Sequence, residues 1–249
     1  MMPVFFIKTS DLKDKKVIIS GLLFNHLKNA LRYKIDDVIH LVDENRTAYH
    51  AAITRMTDQF LEGSLTCQEK NTPSSVPRLI LAPAFIKRKK MELLLQKGTE
   101  LGIREIIPLT TARTVIQPHE ERLDHQRERW QKILVEAAQQ SEQSSPPLLH
   151  DPVEFKTFIK QHGTGIGFIF WEKGTKSLKQ TLSNLPNLSS VTPITVVIGP
   201  EGGFDQNEID LAVEKGYISV SLGKPILRSE TAVMAAITLL QYELGYFGT

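Results

Sequence analysis

Residues 68–77 (QEKNTPSSVP) are polar, hold two prolines and a run of turn formers, and separate two stretches whose hydrophobic patterns differ in kind. A segment of this composition carries no period and joins elements without belonging to any. It predicts a domain over 1–70, a linker over 71–77 and a second domain over 78–249. Before it, short runs rich in β-branched and aromatic residues recur at 4–7, 17–20, 38–42, 48–56 and 60–66. One helical stretch, 22–31, interrupts them, and Asp43, Glu44 and Asn45 read as a hairpin connection. Short strands, tight turns and one helix predict a small β-barrel.

After residue 77 the pattern alternates. A buried strand at 79–84 precedes a helix over 87–101 that Gly102 ends. A strand at 105–109 precedes a long helix over 124–141. Strands follow at 167–171 and 194–198. Asp205 and Glu208 then form a capping-box pair that opens a helix ending at Gly216. A strand at 218–222 leads to a last helix, 230–244, closed by Gly245. Such alternation predicts an α/β domain, with a mainly parallel sheet covered by helices on both faces.

Composition removes several function classes. No apolar run approaches the roughly 18–20 residues that span a bilayer, and Met1 to Ser20 lacks the charged-then-apolar order of a signal peptide. The single cysteine, Cys67, excludes an internal disulfide and a cysteine metal cluster; no metal and a cytoplasmic location are expected. The seven histidines are scattered, and His119 and His125 lack helical zinc spacing. Gly163, Gly165 and Gly167 precede a strand and do not make GxGxxG. There is no P-loop and no GxSxG elbow.

The net charge of +2 conceals a gradient. Residues 1–72 hold ten Lys/Arg against nine Asp/Glu, 73–132 hold twelve against seven, and 133–249 hold eight against twelve. The densest point is Lys87, Arg88, Lys89 and Lys90. It is either a footprint for phosphates or a solvated helix start. Cations are disfavoured at the positive end of a helix dipole, so something outside the helix is expected to compensate.

Two loops carry the strongest signal: 198–204 (IGPEGGF) and 221–232 (SLGKPILRSETA). Each lies where a strand hands over to a helix, the edge at which open α/β sheets bind ligands. Gly199, Gly202 and Gly203 exceed what capping needs, since Asp205 already supplies the cap; they let a flat ring approach the backbone. In the second loop Arg228 and Glu230 flank Ser229 ahead of an almost wholly apolar helix. They are expected to be paired with each other or engaged with a ligand, because unpaired buried charge is costly.

These loops, with 25–32 (NHLKNALR), 97–102 (KGTELG), Pro108, 129–133 (RWQKI) and 136–141 (EAAQQS), resemble the 16S ribosomal RNA uracil-N(3)-methyltransferase family. That family lies within the SPOUT (trefoil-knot) superfamily of S-adenosylmethionine-dependent RNA methyltransferases, and the likeness runs over essentially the whole chain. It implies a knotted catalytic sheet behind a PUA-like barrel, S-adenosyl-L-methionine as cofactor, the 16S rRNA of the small ribosomal subunit as partner, and a homodimer. The implied cofactor residues are Ile198, Gly199, Pro200, Glu201, Gly202 and Gly203 from the first loop. From the second they are Leu222, Gly223, Ile226, Leu227, Arg228, Thr231 and Ala232. Arg228 is the implied stabiliser of the uracil anion, and Glu230 its orienting partner or the base; Glu100 is a third candidate. RNA contacts fall to His26, Lys28 and Arg32, with Lys87, Arg88, Lys89 and Lys90. The chain departs from the family's usual pattern at Val4, Gln143 and Pro225, where arginine is common, and at Gly98, where alanine is. A ribose 2′-O-methyltransferase of the same superfamily and a non-catalytic RNA-binding or ribosome-assembly factor are the alternatives.

Overall fold

The computed structural model describes residues 3–70, 77–115, 120–161, 165–185 and 192–247. Residues 71–76 of the expected linker, His119, Gly163 and the side chain of Cys67 lie outside them. The chain divides into two compact units, Met1–Pro73 with Ala138–Pro146, and Ser74–Ala137 with Pro147–Thr249.

In the first unit, strands β1 (Val4–Phe6), β2 (Leu12–Lys13) and β3 (Lys16–Ser20) precede a short helix, α1 (Gly21–Asn25). Strands β4 (Val38–Val42), β5 (Thr47–Met56) and β6 (Phe60–Lys70) follow. They form one sheet in the order β1-β4-β5-β6-β3-β2, antiparallel except where β1 meets β4. Alternate residues of each strand share a face, so Val17, Ile19, Ile39, Leu41, Ala51, Ile53 and Leu61 bury together against Phe5, Phe24 and Leu27. The hairpin at 43–45 is present. Asp43 is buried within it, yet its carboxylate accepts the N–H groups of Asn45 and Thr47 and the Tyr49 hydroxyl, each at 2.9 Å. A buried carboxylate with three donors carries no unmet polar cost.

Two expectations change here. The single helix over 22–31 is α1 followed by a wider π-type turn over His26–Ala30, which ends where Arg32 adopts a left-handed φ of 58°. Strand β6 runs to Lys70, past the apolar pattern at 60–66, because the backbone ladder pairs Cys67 with His50 and Lys70 with Thr47. A ladder of backbone bonds does not require apolar side chains.

The second unit begins with β7 (Leu79–Pro83), α2 (Arg88–Glu100), β8 (Glu105–Ile106), β9 (Leu109–Thr110) and α3 (Glu120–Gln140), the last three residues of which belong to the first unit. Then come β10 (Leu148–Leu149), β11 (Val153–Glu154), α4 (Phe155–Gln161), β12 (Ile166–Phe170), β13 (Lys176–Ser177) and α5 (Leu178–Ser183). The last elements are β14 (Ile194–Ile198), α6 (Gln206–Glu214), β15 (Ile218–Ser221) and α7 (Ser229–Glu243). Seven strands form a parallel sheet ordered β10-β8-β7-β14-β12-β15-β13. The strand expected over 105–109 is split. Pro108 has no N–H to give a ladder, so β8 stays in the main sheet while β9 pairs with β11 in a small second sheet.

The central strands β7 and β14 are buried along their whole length, and their alternate residues serve opposite faces. Leu79, Leu81, Val196 and Ile198 pack with Met91, Leu94 and Leu95 of α2 and Val233, Ile237 and Leu240 of α7. Ile80, Ala82 and Val197 pack instead with Phe155 and Phe158 of α4 and Ile209 and Ala212 of α6. Gly98, inside α2, tests this packing. A Cβ added there would meet Leu81 Cδ2 at 3.5 Å and Ile237 Cδ1 at 3.9 Å, ordinary contact distances. Gly98→Ala is therefore expected to raise stability by about 1 kcal/mol, the helix-interior penalty of glycine. An upward shift of the denaturation midpoint with unchanged slope checks it; a downward shift means that the helix–sheet spacing is tighter than the structure gives.

Candidate functional site

Strands β14, β12 and β15 are neighbours, and Phe170 stands in register with both Ile198 and Val220. The chain therefore leaves the sheet at one edge three times, after Phe170, Ile198 and Ser221. The turns that follow enclose a cavity of about 210 Å³. Gly202 and Leu227, one from each loop, both line it.

The glycines of the first loop have particular reasons to be glycine. Gly203 sits at a φ of 68°, the left-handed region that side chains disfavour, where its N–H closes a turn on the Pro200 carbonyl at 3.0 Å. A Cβ on Gly199 would press to 3.1 Å from the Phe204 ring. Arg113 steadies the turn from outside by donating to the Gly202 carbonyl at 3.0 Å. The helix α6 then starts with the expected box: Asp205 accepts from the Asn207 N–H at 3.0 Å, and Glu208 from the Asp205 N–H at 2.9 Å.

Of the expected cofactor residues, Ile198, Gly199, Pro200, Glu201, Gly202, Gly203, Leu222, Gly223, Ile226, Leu227 and Ala232 line the cavity, whereas Arg228 and Thr231 do not. Sequence reasoning missed the third contributor. Phe170, Trp171 and Glu172 follow from β12, and no glycine or motif marks them; knowing that β12 lies between β14 and β15 would have placed them. The lining suits a ligand that is part flat ring and part charged. Ile198, Leu222 and Leu227 supply apolar wall, and Ile226, 84 % exposed, offers apolar surface at the mouth. The buried Trp171 Nε1–H has no acceptor among the described residues.

Arg228 and Glu230 are not paired with each other, contrary to one reading of their spacing. Arg228 is exposed at the start of α7, with no side-chain partner among the described residues. Glu230 is buried and faces Lys90, whose Nζ lies 3.7 Å from Glu230 Oε1 and 3.1 Å from Glu201 Oε1. The second oxygen of Glu230, Oε2, is buried without a hydrogen-bond partner among the described residues. Here is the compensation that a basic helix start required. Arg88 likewise donates to Glu92 at 3.0 Å, and the guanidinium of Arg129 beside it holds the Glu92 carboxyl below the usual glutamate range. Lys87 and Lys89 remain exposed. Glu100 pairs with Lys97 at 2.8 Å and does not line the cavity.

In the first unit, His26 and Arg32 are exposed. Lys28 is half-buried, 3.0 Å from Asp58 and 2.9 Å from the Thr57 carbonyl. Among the described residues no group of three or more metal-ligating side chains occurs, and no helix is long and apolar enough to cross a membrane.

A parallel sheet with a cavity at its strand ends, preceded in the chain by a small, mainly antiparallel β unit, defines a class that comparison with known proteins makes specific. A family model described as an RNA methyltransferase domain matches residues 72–241, and one described as an RNA methyltransferase PUA domain matches 21–66. A ribosomal RNA small subunit methyltransferase E from Rickettsia conorii is 33% identical over 86% of this chain and 84% of its own length. The protein of that name from Bacillus subtilis is 28% identical over 90% of this chain and 89% of its own length. The crystal structure of a ribosomal RNA small subunit methyltransferase E from Neisseria gonorrhoeae, bound to S-adenosyl methionine, superposes with a TM-score of 0.86 at 25% identity, covering 100% of both chains. The chain belongs to the RNA methyltransferase family in which ribosomal RNA small subunit methyltransferase E stands.

Proposed function

We propose that the chain transfers the methyl group of S-adenosyl-L-methionine to ring nitrogen 3 of a uridine in the 16S rRNA of the small ribosomal subunit, in the cytoplasm and as a homodimer. The convergence of the 198–204 and 221–229 turns on one cavity carries this reading, supported by relatives named for the small-subunit RNA and by the cofactor bound to a structural relative. When bound, the cofactor supplies a methyl group already activated on a sulfonium. The work left to the protein is placement, and proximity alone can supply much of a rate enhancement. Gly203, where a Cβ would have nothing nearer than 3.6 Å, lets a flat group lie against backbone, while Ile198, Leu222 and Leu227 keep water from it.

Uracil nitrogen 3 carries a weakly acidic proton and is normally engaged in base pairing. The target base must therefore be unpaired or turned out of the stack, at about a few kcal/mol. Loss of that proton spreads negative charge onto the two carbonyl oxygens. Arg228 is the cation assigned to that charge. It is exposed at the N-cap of α7, next to the cavity-lining Ser229, and unpartnered among the described residues, so its guanidinium is available to a base brought to the cavity. Glu230 acts behind it on Lys90. Exposed His26 and Arg32 grip phosphates from the first unit, joined by Lys28 where a phosphate displaces the fully exposed Asp58 from it; exposed Lys87 and Lys89 do so from the second. Leu239 and Tyr242, 44 % and 63 % exposed on α7, are apolar surface suited to a subunit contact.

The test is transfer of labelled methyl from S-adenosylmethionine to small ribosomal subunits, followed by digestion to nucleosides. Label in 3-methyluridine is the expected result. Label in a 2′-O-methylated nucleoside, or no transfer, overturns the reading.

A further inference from the structure

Two carboxylates line the cavity, and they are in different states. Glu201 is engaged by Lys90 at 3.1 Å. Glu172 has neither a hydrogen bond nor an ion pair among the described residues, and it faces the glycine turn: both its oxygens lie 3.6 Å from the place a Cβ on Gly203 would occupy. Its neighbour Lys173 is directed elsewhere, 5.6 Å over the Trp171 ring. A free anion in the wall of a binding cavity is a recognition element for a cation.

The proposed reaction changes the charge of its own ligand. S-adenosylmethionine carries a sulfonium, an ammonium and a carboxylate, a net charge of about +1 near neutral pH. After methyl transfer the sulfur is a neutral thioether, and the product S-adenosylhomocysteine carries no net charge at that pH. We propose that Glu172 is the specificity-determining residue that discriminates the charged methyl donor from its demethylated product, so that the spent molecule leaves and fresh donor enters. This rests on the methyl-donor reading above. The carboxylate is exposed, so water and salt screen it, and the advantage is moderate and falls with ionic strength.

Titration calorimetry of the whole protein with S-adenosylmethionine and with S-adenosylhomocysteine, for wild type, Glu172→Gln and Glu172→Asp, tests the assignment. At low salt, Glu172→Gln is expected to weaken donor binding roughly three- to fivefold, equal to about 0.7–1 kcal/mol, with product affinity moved less than about 1.5-fold. Glu172→Asp keeps most of the preference, and salt erodes it in the wild type. Equal loss for both ligands, or no loss for either, overturns the proposal. The ratio is read within one protein sample, so a smaller folded fraction cannot imitate it. Wild type that binds neither ligand refutes the methyl-donor reading itself, a result distinct from a failed discrimination.

Discussion

Replacing Arg228 with alanine is expected to lower the methyl-transfer rate about a hundred- to a thousandfold, the usual cost of losing one donor aimed at developing charge. Affinity for S-adenosylmethionine is expected to stay within about twofold, because the Arg228 side chain does not line the cavity. What it does is stand free at the N-cap of α7, one residue before Ser229, which does line it. A guanidinium so placed contributes only once the uracil ring carries charge, and such an interaction appears in the rate and not in ground-state binding. Arg228→Lys keeps the charge but loses the planar fork, so partial activity is expected. Single-turnover transfer at saturating cofactor, with calorimetric cofactor binding on the same preparations, separates the two effects. Near-normal turnover by Arg228→Ala removes it from the chemistry.

The largest stability loss is expected from Lys90→Met. Lys90 belongs to α2, Glu201 to the turn after β14, and Glu230 to the first turn of α7, so one ammonium ties three elements at the rim of the cavity. The side chain of Glu230 is 11 % exposed and that of Lys90 28 %. Deleting the cation strands a largely buried carboxylate whose second oxygen already lacks a donor among the described residues. Breaking a fully buried pair costs about 3–5 kcal/mol; the partial exposure of Lys90 lowers the expectation to about 2–3 kcal/mol. Cofactor affinity falls with it, since Glu201, Ser229 and Ala232 all line the cavity, and Lys90→Arg restores much of both. RNA affinity and its salt dependence are expected to change little, because Lys90 already has its counter-charges. A variant that keeps its stability and cofactor affinity but loses RNA binding with a shallower salt slope would show that Lys90 grips phosphates instead.

Why some of this was legible from residue order and some was not follows from the range of the interactions. Strands β7 and β14 announce themselves because a strand buried on both faces must be apolar throughout, and their runs stand between turn formers. The α6 start is equally plain, since Asp205 and Glu208 act within one turn. The two glycine-bearing loops were legible as a site because strand ends are where parallel sheets bind ligands. By contrast β8 and β9 hide in one apolar run that Pro108 divides, and strands of two residues such as β10, β11 and β13 are too short to show a period. Trp171 and Glu172 join the site only through the strand order. The pairing of Lys90 with Glu201 and Glu230 spans more than a hundred residues, and no local pattern reports it. A knot leaves no residue pattern either, and ordinary connection rules point away from one; that expectation comes from the family likeness alone.

Three turns at one sheet edge make one pocket for a single molecule. Crystals grown with S-adenosylmethionine are the decisive test: ligand density is expected between Gly199–Gly203 on one side and Leu222–Leu227 on the other, with Glu172 in its wall. Ligand bound elsewhere on the protein, or that space left empty at saturating concentration, contradicts it.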